Sequence, residues 1–216
     1  QGVIDVVADE ERGLIYVVTC EDQHWMVYDM KTKKYRELGP MLYAYAATLI
    51  DKQGRANVIT RDWQLARFDP ATNEVTVHDL LVDGKKVQLP EKPGSAWIPA
   101  WNLAAAGTAA YTVRLGFAEL WKIHLGGSGE SGVRVTDLGK LTEGPNPDTR
   151  SSISIAPNGD VYVLVKTRND TGFGTGSLHR LSRYSPAKNR ITELGVLKVS
   201  NPDFYGRPLK DGGVTD

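Results

Sequence analysis

The 216-residue sequence predicts an all-β fold, and three observations carry that expectation. A short apolar strand recurs four times behind a glycine turn. A second landmark, an aromatic residue followed by an Asp or Ser turn, recurs in step with it, and no stretch shows a convincing amphipathic helical period. Each repeat is long enough for four strands. Together these features specify a β-propeller of four four-stranded blades.

The glycine-led strands are Gly13-Leu-Ile-Tyr-Val-Val-Thr-Cys20, Gly54-Arg-Ala-Asn-Val-Ile-Thr-Arg61, Gly107-Thr-Ala-Ala-Tyr-Thr-Val-Arg114 and Gly159-Asp-Val-Tyr-Val-Leu-Val-Lys166. Their spacing is on the order of the 40 to 50 residues of a propeller blade, with room for loop insertions. Polar residues precede three of the glycines, as in Asp9-Glu-Glu-Arg-Gly13, Asp51-Lys-Gln-Gly54 and Ala156-Pro-Asn-Gly159. Such turns need a residue that tolerates positive φ and a side chain that bonds the local backbone. The strands themselves are β-branched and aromatic, apolar on both faces, as expected between two neighbouring blades.

The second landmark closes the third strand of a blade. Tyr28, Phe68 and Tyr184 are followed by Asp29, Asp69 and Ser185, each placed to open a turn by accepting a backbone N–H. Pro70 and Pro186 pre-set the next φ. In the third copy Leu120–Leu125 takes this place, with a Gly/Ser-rich insertion at 126–132. Outer strands then end at Glu37-Leu-Gly39, Asp137-Leu-Gly139 and Glu193-Leu-Gly195. Innermost strands are expected before each glycine turn, at Val3–Ala8, Ala46–Ile50, Trp97–Trp101 and Ser152–Ile155.

Blades are thus placed at 1–40, 41–90, 95–143 and 150–200, with 201–216 an extended tail or the start of a further blade. Two arrangements satisfy the pattern. Either four blades close on themselves, or they belong to a larger ring completed by further residues or another chain. The larger ring is favoured because exposed blade faces need covering.

Composition narrows the function. Twenty-six basic and twenty-six acidic residues cancel, so neither a nucleic-acid backbone nor an anionic membrane is the expected partner. The single cysteine, Cys20, excludes an intramolecular disulfide and reads as a buried strand thiol. Apolar runs fall short of the roughly 20 residues of a membrane helix. The chain begins at Gln1 rather than Met, which implies processing, proteolysis or trimming; under the first of these a periplasmic or secreted setting is expected.

Arg67-Phe-Asp-Pro70 and Pro157-Asn-Gly-Asp-Val-Tyr162 resemble the repeats of seven- or eight-bladed bacterial propellers, including the streptogramin-lyase-like and gluconolactonase-like groups. The tract 178–204 is similar to uncharacterised bacterial propeller proteins. The streptogramin-lyase resemblance implies a His/Glu pair and Mg²⁺ on one ring face. No positions here match that pair, so that activity and its metal are not carried over, and no cofactor is expected.

Counting seven residues from each glycine reaches Cys20, Arg61, Arg114 and Lys166. Three cations at one rim could form an arc for a carboxylate, sulfate or phosphate. They could equally pair with nearby acids such as Asp62 and Glu119. His24 and His179 precede third strands at the same rim, whereas His78 and His124 sit at outer positions suited to surface or edge roles. No His-x-His or His-Glu-x-x-His spacing suggests a metal site. Trp25 and Trp63 follow second strands and could stack on a planar ligand or sugar, while Trp97, Trp101 and Trp121 suit packing between blades. The glycine-rich segment 167–177 lacks the ending of a phosphate loop and reads as a rim loop.

With no catalytic motif, the leading expectation is a non-catalytic interaction or scaffold module that docks to other protein chains as a homo- or hetero-oligomer. The alternative is an extracytoplasmic lyase or hydrolase. It would act on an anionic or carbohydrate substrate at the rim of Arg61, Arg114, Lys166, His24 and His179.

Overall fold

A computed structural model describes residues 2–19, 24–39, 47–88, 101–104, 106–114, 118–126, 132–148, 152–170, 177–197 and 213–214. Its described elements are all strands. Unit 1 contains β1 (Val3–Asp9), β2 (Leu14–Thr19), β3 (Trp25–Asp29) and β4 (Lys34–Glu37). Unit 2 contains β5 (Leu49–Ile50), β6 (Ala56–Ile59), β7 (Gln64–Asp69) and β8 (Glu74–Val82), with a short β9 (Lys85–Lys86). Unit 3 holds β10 (Trp101–Leu103), β11 (Ala109–Arg114), β12 (Glu119–His124) and β13 (Val133–Lys140). Unit 4 holds β14 (Ile153–Ile155), β15 (Val161–Arg168), β16 (Ser177–Ser185), β17 (Arg190–Val196) and β18 (Gly213–Val214). Within each unit the first four strands pair antiparallel in chain order.

The units stack face to face in sequence. Tyr16, Val18, Trp25 and Val27 of unit 1 pack on Ala56, Val58, Ala66 and Phe68 of unit 2. Ile59, Trp63, Leu65 and Leu80 of unit 2 pack on Ala110, Trp121, Ile123 and Leu125 of unit 3. Tyr111, Val113 and Leu120 of unit 3 pack on Val161, Val163, Val165 and Tyr184 of unit 4. Strand alternation explains the order: one set of side chains forms a front that meets the next unit, the other a back that meets the preceding unit. Both faces of units 2 and 3 are therefore apolar.

Side chains also cross the interfaces. Thr48 N–H donates to Asp5 Oδ2 at 2.6 Å, and burial holds that carboxyl above its usual range despite the bond. Lys52 N–H donates to the Gly107 carbonyl at 3.1 Å, joining the turns of units 2 and 3. Ser182 Oγ donates to the Leu141 carbonyl at 2.6 Å between units 3 and 4. The glycine of unit 2 has a double reason: Gly54 adopts φ +79°, and the Arg12 guanidinium lies where its Cβ would be.

The Asp turns form as expected. Lys31 and Thr32 N–H both donate to Asp29 Oδ1, and Ala71 N–H donates to Asp69 Oδ1. In unit 4 the Ser185 carbonyl, rather than its side chain, accepts from Lys188 N–H. All three turns then place one residue in the left-handed region: Lys33 (φ 59°), Asn73 (φ 59°) and Asn189 (φ 45°).

Two local expectations are corrected, and one feature is new. The innermost strand of unit 2 is only Leu49–Ile50; in unit 3 the described strand is Trp101–Leu103, and the rest of the expected Trp97–Trp101 lies outside the described residues. Asp137-Leu-Gly139 and Glu193-Leu-Gly195 do not end their strands. They are bulges at which the register slips, Gly139 and Gly195 taking positive φ while β13 and β17 continue. Finally, β8 runs on into a hairpin through Asp83 and Gly84, both at positive φ. Its extension pairs parallel with β13, Val133 opposite Leu80, so the outer edges of units 2 and 3 join in one sheet. Of the tail, Gly213 and Val214 pair with Leu178 and Ser177. Cys20 lies outside the described residues.

Asn tolerates the left-handed region better than Lys, because its short side chain bonds locally. Lys33→Asn is expected to stabilise the protein by up to about 1 kcal/mol. A raised urea midpoint with unchanged slope would show it.

Candidate functional site

The cation arc does not survive as a set of equivalent positions. In units 1, 2 and 4 the first residue paired across the turn stands one after the glycine: Leu14 with Asp9, Arg55 with Asp51, Asp160 with Ala156. In unit 3 it stands two after, Ala109 with Ala104. That extra residue shifts every later position of β11 by one, so Arg114 is not the counterpart of Lys166. It ends its strand opposite Glu119. Arg61 lies beyond β6 in an exposed turn closed by Trp63 N–H to the Thr60 carbonyl. Lys166 lies within β15. By the same count Arg61 and Lys166 remain counterparts, one in a turn and one in a strand, and Arg114 leaves the set.

The two tryptophans offered for stacking are core residues. Trp25 is 0% exposed and Trp63 2% exposed. Trp63 meets Trp121 edge to face with centroids 5.7 Å apart. Their rings are enclosed by neighbouring units, which corrects the expectation of open stacking platforms.

The histidines separate. His24 Nδ1 lies 2.6 Å from Glu37 Oε1 at the edge of unit 1, and its N–H donates to Thr19 Oγ1. His179 lies in β16 directly across from Lys166. These two are the pair among the candidates that the fold makes neighbours.

Two arrangements were not foreseen. The first is a buried polar cluster at the front of unit 2. Asp51 accepts from Arg55 Nε at 2.8 Å, and Arg67 Nε donates to Asn57 Oδ1 at 2.8 Å. Arg55 and Arg67 each donate an Nη2–H to the Leu125 carbonyl of unit 3, at 3.1 and 3.0 Å. Burial and the neighbouring Arg55 charge lower the pKa of Arg67. This cluster joins two blades and is enclosed by them; its chemistry is structural.

The second is the pair of open end faces. On unit 4 the front carries Tyr162, Leu164, Lys166, His179, Leu181 and Arg183, opposite one another across β15 and β16. Ser152, Ser154, Tyr162, Leu164 and Leu181 line a shallow depression of about 350 Å³ there. His179 Nδ1 and Arg183 Nε are shielded from solvent and find no hydrogen-bond partner. On unit 1 the back carries Val6, Val17 and Met26 in one row, and Ala8, Ile15, Tyr28 and Tyr35 in the next. Val6 is 59% exposed and Tyr35 78%. The signal for both faces was in the sequence, since β2 and β15 are apolar at consecutive positions. Only the stacking order says which faces lack a neighbour.

Among known structures the similarity is broad but distant. The extracellular domain of the putative one-component system BT4673 from B. thetaiotaomicron matches with TM-score 0.59 and 11% identity, covering 100% of this chain and 24% of that one. YCF48 bound to a D1 peptide matches with TM-score 0.54 and 12% identity, covering 89% and 53%. The dihydro-heme d1 dehydrogenase NirN in complex with DHE matches with TM-score 0.58 and 14% identity, covering 92% and 38%. The fold is propeller-type. The chain spans between a quarter and about half the length of these structures. No family model matches, and no curated protein matches. No helix among the described residues is long and apolar enough to cross a membrane.

Two further histidines, His78 in the outer strand β8 and His124 at the end of the third strand β12, are expected to make stability depend on pH. Burial first, then the charges of Arg67 and Arg55, lowers the pKa of His78. Burial, then Arg134 and Lys122, lowers that of His124. His124 Nδ1 accepts from Arg134 Nη2 and its Nε2 donates to Thr136 Oγ1, a neutral arrangement. Between the lowered native values and an unfolded value near about 6.5, the unfolded chain binds more protons. Stability should therefore be full above about pH 6.5 and fall as pH drops through the native values. Urea unfolding followed across this range should show the loss, and His124→Gln should reduce its slope.

Proposed function

We propose that this chain is a non-catalytic docking module, working outside the cytoplasm, whose open end faces receive the β-sheet surfaces of other protein chains. The observation that carries this reading is the back of unit 1, where Val6 is 59% exposed, together with the half-buried front of unit 4, where Tyr162, Leu164 and Leu181 lie among Lys166, His179 and Arg183. Exposed apolar faces of this extent are characteristic of interaction sites. A propeller-type relative in fold, YCF48, is bound to a peptide, so such a framework is compatible with protein ligands.

The enzymatic alternative draws on Lys166 beside His179 and on the fold likeness to NirN, a dehydrogenase. It is the weaker reading, since the proposed rim of Arg61, Arg114, Lys166, His24 and His179 does not assemble at equivalent positions.

Light scattering across a wide concentration range, together with fluorescence of an apolar dye, tests the docking reading. Occupied faces give a mass that grows with concentration, and vacant ones give dye fluorescence. Val17→Asp and Leu164→Asp should remove whichever signal is seen, while Arg61→Ala leaves it unchanged. A compact monomer that binds no dye contradicts the reading.

A further inference from the structure

Part of one row of side chains recurs from unit to unit, unit 1 having Tyr16, Val27 and Arg36 there, and it suggests what the end faces fit. At the front of each unit, one row runs from the second strand through the third to the outer strand. In unit 3 it reads Tyr111, Lys122, Thr136. In unit 4 it reads Tyr162, Arg183, Thr192. The two rows are chemically alike: a tyrosine, a cation, a threonine. Unit 2 keeps the last two members, Arg67 and Thr76, but has Asn57 in place of tyrosine.

What a front tyrosine meets is also regular. Tyr16 of unit 1 meets Phe68 of unit 2, ring centroids 6.2 Å apart. Tyr111 of unit 3 meets Tyr184 of unit 4 at 6.0 Å. Phe68 and Tyr184 are the aromatic residues that close the third strand, on the back of their units. At the remaining interface both members change together: Asn57 on the front of unit 2 and Ile123 at the equivalent third-strand place of unit 3, opposite Ala110. At this one position of the row, therefore, aromatic residues occur on both sides of an internal interface or on neither, the seam of units 2 and 3 having its aromatic pair elsewhere, at Trp63 and Trp121.

At this position one front tyrosine and one third-strand back aromatic are left over, with Tyr35 beside the latter on the outer strand. Tyr162 is on the open front of unit 4, and Tyr28 is on the open back of unit 1, opposite Ile15. Each is only partly buried. The cation repeats the argument. Arg67 reaches the Leu125 carbonyl of the following unit, just past the end of its third strand. Its counterpart in unit 4, Arg183, has Nη1 3.9 Å from Asp160 Oδ2 and an enclosed Nε with no hydrogen-bond partner among the described residues. The carbonyl equivalent to that of Leu125 in unit 1 belongs to Met30, since Leu125 and Met30 N–H make the same bond to the turn, to Thr108 and Gly13.

Resting on the docking reading above, we propose that the partner of these faces is a second copy of this chain. The front of unit 4 in each copy seats on the back of unit 1 in the other, with Tyr162 against Tyr28 and Arg183 donating to the Met30 carbonyl. Head-to-tail contacts of this kind close into a two-fold ring when both ends are satisfied. Four and four units make eight, within the range of about 4 to 8 found in propellers.

The test uses light scattering on the 216-residue chain and two variants, Tyr28→Arg and Tyr162→Arg. The unmodified chain is expected to have twice the 23.7 kDa mass of one copy. Each variant alone is expected to dissociate by on the order of tenfold or more more readily, as for loss of a central aromatic contact. An equimolar mixture should recover dimers, because the intact front of one variant meets the intact back of the other. Thermal melting of each variant's monomer shows whether it is folded; if one is not, Tyr28→Ser or Tyr162→Ser replaces it in the same mixing experiment. A monomer that binds the apolar dye overturns the second-copy partner and leaves the docking reading standing. A monomer that binds none overturns both. A dimer lost with only one variant and not restored by mixing indicates a contact between like faces, and overturns the head-to-tail ring.

Discussion

Everything in this structure depends on alternate side chains of a strand being buried in two different interfaces. Val18 points into the seam with unit 2, while its neighbour Val17 points away from it. The same division runs through β6, β11 and β15. A single four-stranded sheet of this kind is apolar on both sides and could not be stable in water alone. Stacking removes one apolar face at each seam, and the turn-to-turn contacts of Arg12 with Gly54 and Lys52 with Gly107 hold the seams in place.

This constraint turns short features of sequence into long-range geometry. The extra residue in the turn before β11 exchanges the positions, counted from the glycine, that face units 2 and 4. Tyr111 accordingly stands four after Gly107, whereas Tyr16 and Tyr162 stand three after Gly13 and Gly159. The aromatic pairs across the seams survive because the strand as a whole is shifted. Polar groups follow the same logic. Asp51, Arg55, Asn57 and Arg67 are tolerated within a seam because Leu125 offers them a carbonyl and Asn57 links them.

Much of the fold was legible. Glycine turns, β-branched strands and aromatic-Asp landmarks are local signals, and local signals carry the element order. The site was less legible for physical reasons. Equal counts from a glycine imply equal places only when the turns are equally long, and the turn at 104–109 is not. Trp63 looked like a loop residue, yet a turn residue at positive φ can aim its ring into a seam. The Asp83-Gly84 hairpin was readable as a turn between Leu80-Leu-Val82 and Lys85-Lys-Val87. Its parallel pairing with β13 was not, since nothing local specifies a partner 50 or so residues away. The end faces were visible as apolar strands, but their openness is a property of the stack.

The face-to-face stacking is tested most directly by a double-mutant cycle between Tyr111 of unit 3 and Tyr184 of unit 4. These residues are distant in sequence and share no strand pair. With both replaced by Leu, singly and together, equilibrium unfolding should give a coupling of about 0.5 to 1.5 kcal/mol. Strictly additive effects would mean that the two sheets do not meet through these faces, and would contradict the stacked arrangement.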